Sequence, residues 1–165
     1  MPKINESELK KEIKSGDFKN AYLLYGEESY LKEYYASELK NKIVDKTFEA
    51  FNFHYFDGKD TELDDILKDA QMLPMMSEYN FVMVKDYPIE KSANDIKLLE
   101  EYLKDAPDTT VFVFWFDAIE PDVKSAKFKK VIKAFEKAGD CVELQKRSEN
   151  LFPHPWHNKK AYQAR

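Results

Sequence analysis

A chain of 165 residues is long enough for one domain with a sizeable core and too short for two ordinary ones. Its 26 Lys and Arg against 31 Asp and Glu leave a net charge of −5, which excludes a general positive field for a polyanion, so any nucleic-acid contact needs a local patch. A hydrophobic share of 43% with 15% aromatic residues excludes disorder. One cysteine, Cys141, excludes an internal disulfide framework; in its apolar run CVEL it reads as a reduced, buried thiol rather than a nucleophile. The charged start MPKINESELKKE and the lack of a spanning apolar run indicate neither export nor membrane insertion, so the expected location is the cytoplasm.

The first predicted element is a helix from Glu6 to Lys14, entered through Asn5 with Glu8 three residues on, a capping-box spacing. AYLLY (21 to 25) then reads as a strand, and after Gly26 a helix carries Leu31, Tyr35, Leu39 and Ile43 at helical spacing. FNFHYF (51 to 56) is the second predicted strand, and Thr61 with Asp64 opens a short helix bearing Leu63, Ile66, Leu67 and Ala70. YNFVMVK (79 to 85) and TTVFVFWF (109 to 116) are nearly continuous in apolar residues, as strands covered on both faces of a parallel sheet are. Between them Ser92 with Asp95 opens a helix with Ile96, Leu99 and Leu103 on one face. A last helix, Asp122 to Lys137, buries Phe128, Val131, Ile132 and Phe135 and leads to a fifth strand, CVELQ (141 to 145). Alternation of strands and helices at these lengths predicts a three-layer α/β domain with a mostly parallel five-stranded sheet over 1–149. The stretch ENLFPHPWHNKKAYQAR has two prolines and no periodicity, so 150–165 reads as an irregular tail or appendage.

The strand, Gly26 and following helix have the layout of a phosphate-binding loop, G-x-x-x-x-G-K-[ST], in which glycines let backbone N–H groups close on phosphate, the lysine neutralises charge and the hydroxyl holds magnesium. Gly26 and Lys32 match that template, but Leu31 stands at the second glycine and Glu33 at the hydroxyl, while Glu27 and Glu28 put like charge against a phosphate. ATP binding is not expected, nor any cofactor. An active nucleotidase of this build would end its third strand in an acidic pair; FVMVKDY supplies Asp86 and then Tyr87. Asp117, ending the fourth strand, reads as a terminating polar residue or a cap.

The remaining polar candidates have bland readings beside functional ones. His54 lies in a predicted strand, where a structural role competes with catalysis, and His154 with His157 flank Pro155 in the irregular tail, a poor frame for a metal. Lys124, Lys127, Lys129, Lys130, Lys133 and Lys137 on the last helix read as a solvated face, with weak contact to a phosphate backbone as the alternative. More unusual is AQMLPMMSEYN (70 to 80), a connection carrying Met72, Leu73, Met75 and Met76 around Pro74. Connections are normally polar; these side chains either plug a gap at the core edge or form an exposed wedge for a partner's apolar pocket.

YLLYGEESYL and, some fifty residues on, QMLPMMSEYNFVMVKD together resemble the delta subunit of bacterial DNA polymerase III, the clamp-loader component that opens the sliding clamp, over about Ala21 to Leu144. The resemblance implies a RecA-like AAA+ module that does not hydrolyse ATP, hence no catalytic residue and no enzyme activity of its own. It implies that an apolar pair, by position Met75 and Met76 with Leu73 beside it, enters a pocket on the clamp (the beta subunit) once ATP binding elsewhere in the loader exposes it. Relatives often carry Leu-Phe or Phe-Phe at the pair, so an aromatic ring is lost here. It implies a lid and a collar domain through which delta subunits join other loader subunits; this chain stops near the end of the first module, and 150–165 is expected to be a truncation or foreign residues. Contact with DNA is expected to be weak or indirect. The alternative class is an enzyme, a divergent P-loop nucleotide-binding protein using Lys32 and Asp86.

Overall fold

A computed structural model describes residues 3–145. The five expected strands all form, in one all-parallel sheet that a two-residue strand at its edge extends to six. In chain order the elements are β1 (Lys3–Ile4), α1 (Glu6–Ser15), β2 (Ala21–Tyr25), α2 (Ser29–Ile43), α3 (Glu49–Asn52), β3 (Phe53–Asp57), α4 (Leu63–Ala70), β4 (Asn80–Lys85), α5 (Ala93–Lys104), β5 (Thr110–Trp115), α6 (Ala126–Ala138) and β6 (Gly139–Glu143). Across the sheet the order is β1-β6-β2-β5-β4-β3, so β2 lies between the two last-formed strands.

The three layers follow from alternation along the strands. Tyr22 and Leu24 of β2 with Val111 and Val113 of β5 face Leu9 of α1 and Leu31, Tyr35 and Leu39 of α2. Leu23, Phe112 and Phe114 point the other way, onto Ile66 of α4, Leu99 of α5 and Phe128 and Phe135 of α6. β4 and β5 are buried on both faces, which is why their sequences are nearly continuous in apolar residues. Cys141 is fully buried and its thiol donates to the Ile132 carbonyl at 3.4 Å.

Side-chain caps set three of the six α-helix starts among the described residues. Asn5 accepts from the Glu8 N–H at 2.9 Å and Glu8 reaches back to the Asn5 N–H, completing the box on α1. Ser92 accepts from the Asp95 N–H to open α5, but the Asp95 carboxylate accepts instead from the Tyr87 hydroxyl at 2.6 Å. Four expected boundaries move. Thr61 does not cap α4, because its hydroxyl donates to the Asp57 carbonyl. Phe51 and Asn52 close α3 rather than open β3, since the preceding turn, capped by Asp45, runs straight into that helix. α6 starts at Ala126 rather than Asp122, behind Ser125, which accepts from the Phe128 N–H; Ile132 is only partly buried. β6 begins two residues before Cys141, at Gly139, where the backbone passes so close to Ala21 that a Cβ would sit 1.8 Å from its carbonyl oxygen.

One charged cluster sits under this frame. Asp140 of β6 is 2% exposed beside Glu12 of α1, whose Oε1 takes a 2.6 Å ion pair from Lys19; as carboxylates, Asp140 Oδ2 and Glu12 Oε2 are buried acceptors without a donor, a lack that a proton on Asp140 makes good. Burial first, then the hydrogen bond and charge of Glu12, push the Asp140 carboxyl up to about 8, against the opposing pull of Lys19. Because the folded state holds this proton more tightly than an unfolded aspartate, the associated stability is complete below about pH 4 and is lost as pH rises through about 8. Chemical denaturation at pH 6 and pH 9 should therefore show a loss on the order of 1 to 3 kcal/mol, and Asp140→Asn, which keeps the neutral shape, should flatten that decline.

Candidate functional site

In a parallel sheet every strand ends at the same edge, and a phosphate loop belongs at the carboxyl edge where β2 meets β5 and β6. The loop after β2 is at that place and is closed. Gly26 has φ +116°, and a Cβ on it would lie 2.4 Å from the Leu144 carbonyl oxygen, so the glycine serves the passage of two chain segments. The Glu28 N–H, one of the groups that would cradle an anion, donates to that same carbonyl at 3.0 Å, and the Leu144 N–H donates to the Tyr25 carbonyl at 2.7 Å. Leu31 is packed in the core and Glu33 is on the surface.

Lys32 is 2% exposed and its ammonium donates to the Gly26 carbonyl at 2.8 Å. Burial lowers its pKa, opposed by the carboxylates of Glu120, Asp117, Asp86 and Glu28. The depression beside the loop, about 430 Å³, is lined by Glu27, Glu120, Asp122 and Glu143 against the single cation Lys124, a field that repels a nucleotide's phosphates.

Asp86 occupies the place of a magnesium-binding acid but is committed elsewhere. Buried, with φ +57°, it accepts from the N–H groups of Asp117 at 2.7 Å, Ile119 at 3.1 Å and Ala118 at 3.2 Å. Burial raises its pKa and these three donors outweigh it, so the carboxylate is held below its ordinary range. The residue is a clasp between the ends of β4 and β5. Asp117 contributes its N–H to that clasp and a 3.7 Å contact to Lys85. Among the described residues no group of three or more His, Cys, Asp or Glu is arranged to hold a metal, and no helix is long and apolar enough to cross a membrane. His54 in β3 stands 3.4 Å from Asp69, part of the scaffold; His154 and His157 lie outside the described residues, as does the 150–165 tail.

The other edge of the sheet is different. α3 ends where β3 begins and the 70–80 connection ends where β4 begins, and these strands are paired, Phe53 opposite Phe81, so both segments meet at the amino edge. There Leu73 is 76% exposed and Met76 79%, with Met72 and Met75 about half exposed, which removes the reading of these side chains as a core plug. Their backbone is nevertheless held. The buried Asn80 amide donates to the carbonyls of Asp69 and Met72, and the buried Asn52 amide donates to the Met75 carbonyl at 2.8 Å and accepts from the Met75 N–H at 2.7 Å. Met76 is one of two non-glycine residues with positive φ among those described, at 58°. Four of the seven exposed large apolar side chains in the described residues thus sit on one fastened connection, with a fifth, Phe51, next to Asn52. Sequence reading missed Asn52 and Phe51 because FNFHYF looks like one strand; an asparagine just before an apolar run was the available signal.

With this geometry in view, comparison with known proteins is specific. The family model for DNA polymerase III, delta subunit, matches residues 22–145. The DNA polymerase III subunit delta of Bacillus subtilis is 31% identical over 142 residues, 82% of this chain, and the chain spans 40% of that relative's length. The solved structure of the Bacillus subtilis DNA clamp loader delta protein superposes with a TM-score of 0.71 at 26% identity, covering 86% of this chain and 43% of that one. A Thermotoga maritima DNA polymerase III gamma subunit-related protein shares the fold, with a TM-score of 0.58 at 17% identity over 86% of this chain and 47% of that one. The parallel three-layer module with its altered loop is of the RecA-like AAA+ kind, and the chain belongs to the DNA polymerase III delta subunit family.

Proposed function

We propose that this chain is the non-catalytic, clamp-gripping module of a clamp loader. Met75 and Met76, with Leu73 beside them, enter an apolar pocket on the DNA sliding clamp (the beta subunit) and help open the ring during replication. The observation that carries this reading is the fastened connection at the amino edge, which presents large flexible side chains to solvent instead of burying them. Assembly with other loader subunits belongs to parts of a delta subunit beyond the roughly two fifths of the relative's length that this chain spans. Contact with DNA stays weak or indirect: the chain carries a net charge of −5, and only the exposed lysines of α6 offer a phosphate backbone a basic face among the described residues. The setting is cytoplasmic.

Nucleotide chemistry through Lys32 and Asp86 is the less favoured reading, since the first donates to the loop's own backbone and the second holds three backbone N–H groups.

Three measurements bear on these readings. Burying a large apolar side chain gives ~1.5 to 3 kcal/mol, so replacing Met75 and Met76 together by alanine should weaken binding to a matching clamp by roughly 2 to 4 kcal/mol, about 30- to 1000-fold; unchanged affinity in a surface-binding assay would remove the wedge. Thermal melting with magnesium and ATP should show no upward shift, whereas a ligand at a hundred times its dissociation constant would add ~2.7 kcal/mol. Asp86→Ala removes the shared acceptor of three part-buried hydrogen bonds and should cost about 2 kcal/mol in equilibrium unfolding, a loss that a purely catalytic carboxylate would not produce.

A further inference from the structure

We infer that Asn52 is a positioning residue for partner binding: by making two hydrogen bonds to the Met75 backbone, it holds the exposed methionines in the conformation that their partner recognises. The inference rests on the proposed clamp contact and extends it to a residue of another chain segment, 23 positions away, that does not reach the partner.

Three observations support it. The first is chemical matching. A carboxamide sets an N–H donor beside a carbonyl acceptor at the spacing of a peptide group, and Asn52 uses both on a single residue, donating to the Met75 carbonyl at 2.8 Å and accepting from its N–H at 2.7 Å. Asn52 is itself 1% exposed, so this bond pair is shielded from competing water. The second is that the side chains beyond the joint do not hold themselves. Met75 and Met76 are 52% and 79% exposed and gain little from packing, so the scaffold must fix the backbone. The third is strain. Met76, next to the joint, has φ +58°, a left-handed conformation that is unfavourable for an L-residue and persists only where the surroundings over-determine it. Asn80 fastens the earlier half of the connection through Asp69 and Met72, and Asn52 supplies the side-chain hydrogen bonds to the half that carries the methionine pair, among the described residues.

The effect on affinity is a population effect. A partner that binds one backbone arrangement sees an apparent dissociation constant raised by the inverse of the fraction of molecules in that arrangement. Without Asn52, the strain at Met76 is released and the connection samples other states; a fall of the competent fraction to about a tenth weakens binding about tenfold.

A double-mutant cycle on the intact protein tests this, with a matching purified sliding clamp as probe. Asn52→Ala is made in the parent and in a Met75→Ala, Met76→Ala background, and each variant's melting temperature is recorded so that only folded protein is compared. The expected result is about a tenfold weakening in the parent that vanishes in the background lacking Met75 and Met76, because Asn52 acts only through those side chains. Equal weakening in both backgrounds would overturn the inference, since the residue would then be supporting the fold or touching the clamp itself, and so would no weakening in either. Should Asn52→Ala be unfolded at the assay temperature, Asn52→Asp serves in the same cycle, keeping the acceptor for the Met75 N–H and losing the donor to its carbonyl. Failure of the underlying reading is separable: it appears as methionine substitutions that leave clamp affinity unchanged, whatever Asn52 does.

Discussion

A parallel sheet forces every strand to begin at one edge and end at the other, with each connection crossing a face, and the layout of this molecule depends on that constraint. The carboxyl edge gathers the loop after β2, the turn after β4 and the chain leaving β6; the amino edge gathers the ends of α3 and α4. Chemistry that this architecture usually places at the first edge is replaced by backbone contacts, while the apolar display is built at the second. Between the two edges run β4 and β5, buried on both faces, so the sheet works as a rigid spacer between them.

The carboxyl edge shows how a nucleotide site can be dismantled without loosening the fold. The charged residues that would serve catalysis remain, but their hydrogen bonds point inward. Lys32 donates to a carbonyl of its own turn, and Asp86 gathers three N–H groups of the loop after β5. Leu144 fills the space over Gly26 with main chain. Each of these contacts stabilises the closed edge.

Much of the frame was readable in the chain because strong periodicity has one structural answer. Val82, Val84, Phe112 and Phe114 lie in runs too apolar for a half-exposed strand, and Leu31, Tyr35, Leu39 and Ile43 keep one helical face. Readings failed where side-chain partners decide the outcome. Thr61 and Asp122 look like helix starters, but the Thr61 hydroxyl donates to the Asp57 carbonyl and Ser125 caps α6, and β6 begins at Gly139, outside the expected strand, where it passes close to Ala21. The weak match at Gly26 and Lys32 was legible as a damaged phosphate loop; that both residues are spoken for by backbone was not, since it depends on Leu144 arriving from more than a hundred residues along the chain, at the end of the neighbouring strand β6. Likewise the methionine connection stood out by composition, whereas its exposure and its fastening to Asn52 are tertiary facts.

The left-handed backbone at Met76 also restricts which residues can stand at the tip of the connection. Side chains forked at Cβ crowd their own carbonyl in that conformation, so isoleucine, valine and threonine are disfavoured there however well they might suit an apolar pocket, while straight-chain and asparagine or glycine side chains fit the backbone. Of those, only the long apolar ones also supply contact area. Backbone geometry therefore selects an adaptable side chain at the tip before any partner does, and divergence at this position is channelled through a short alphabet set by the fold.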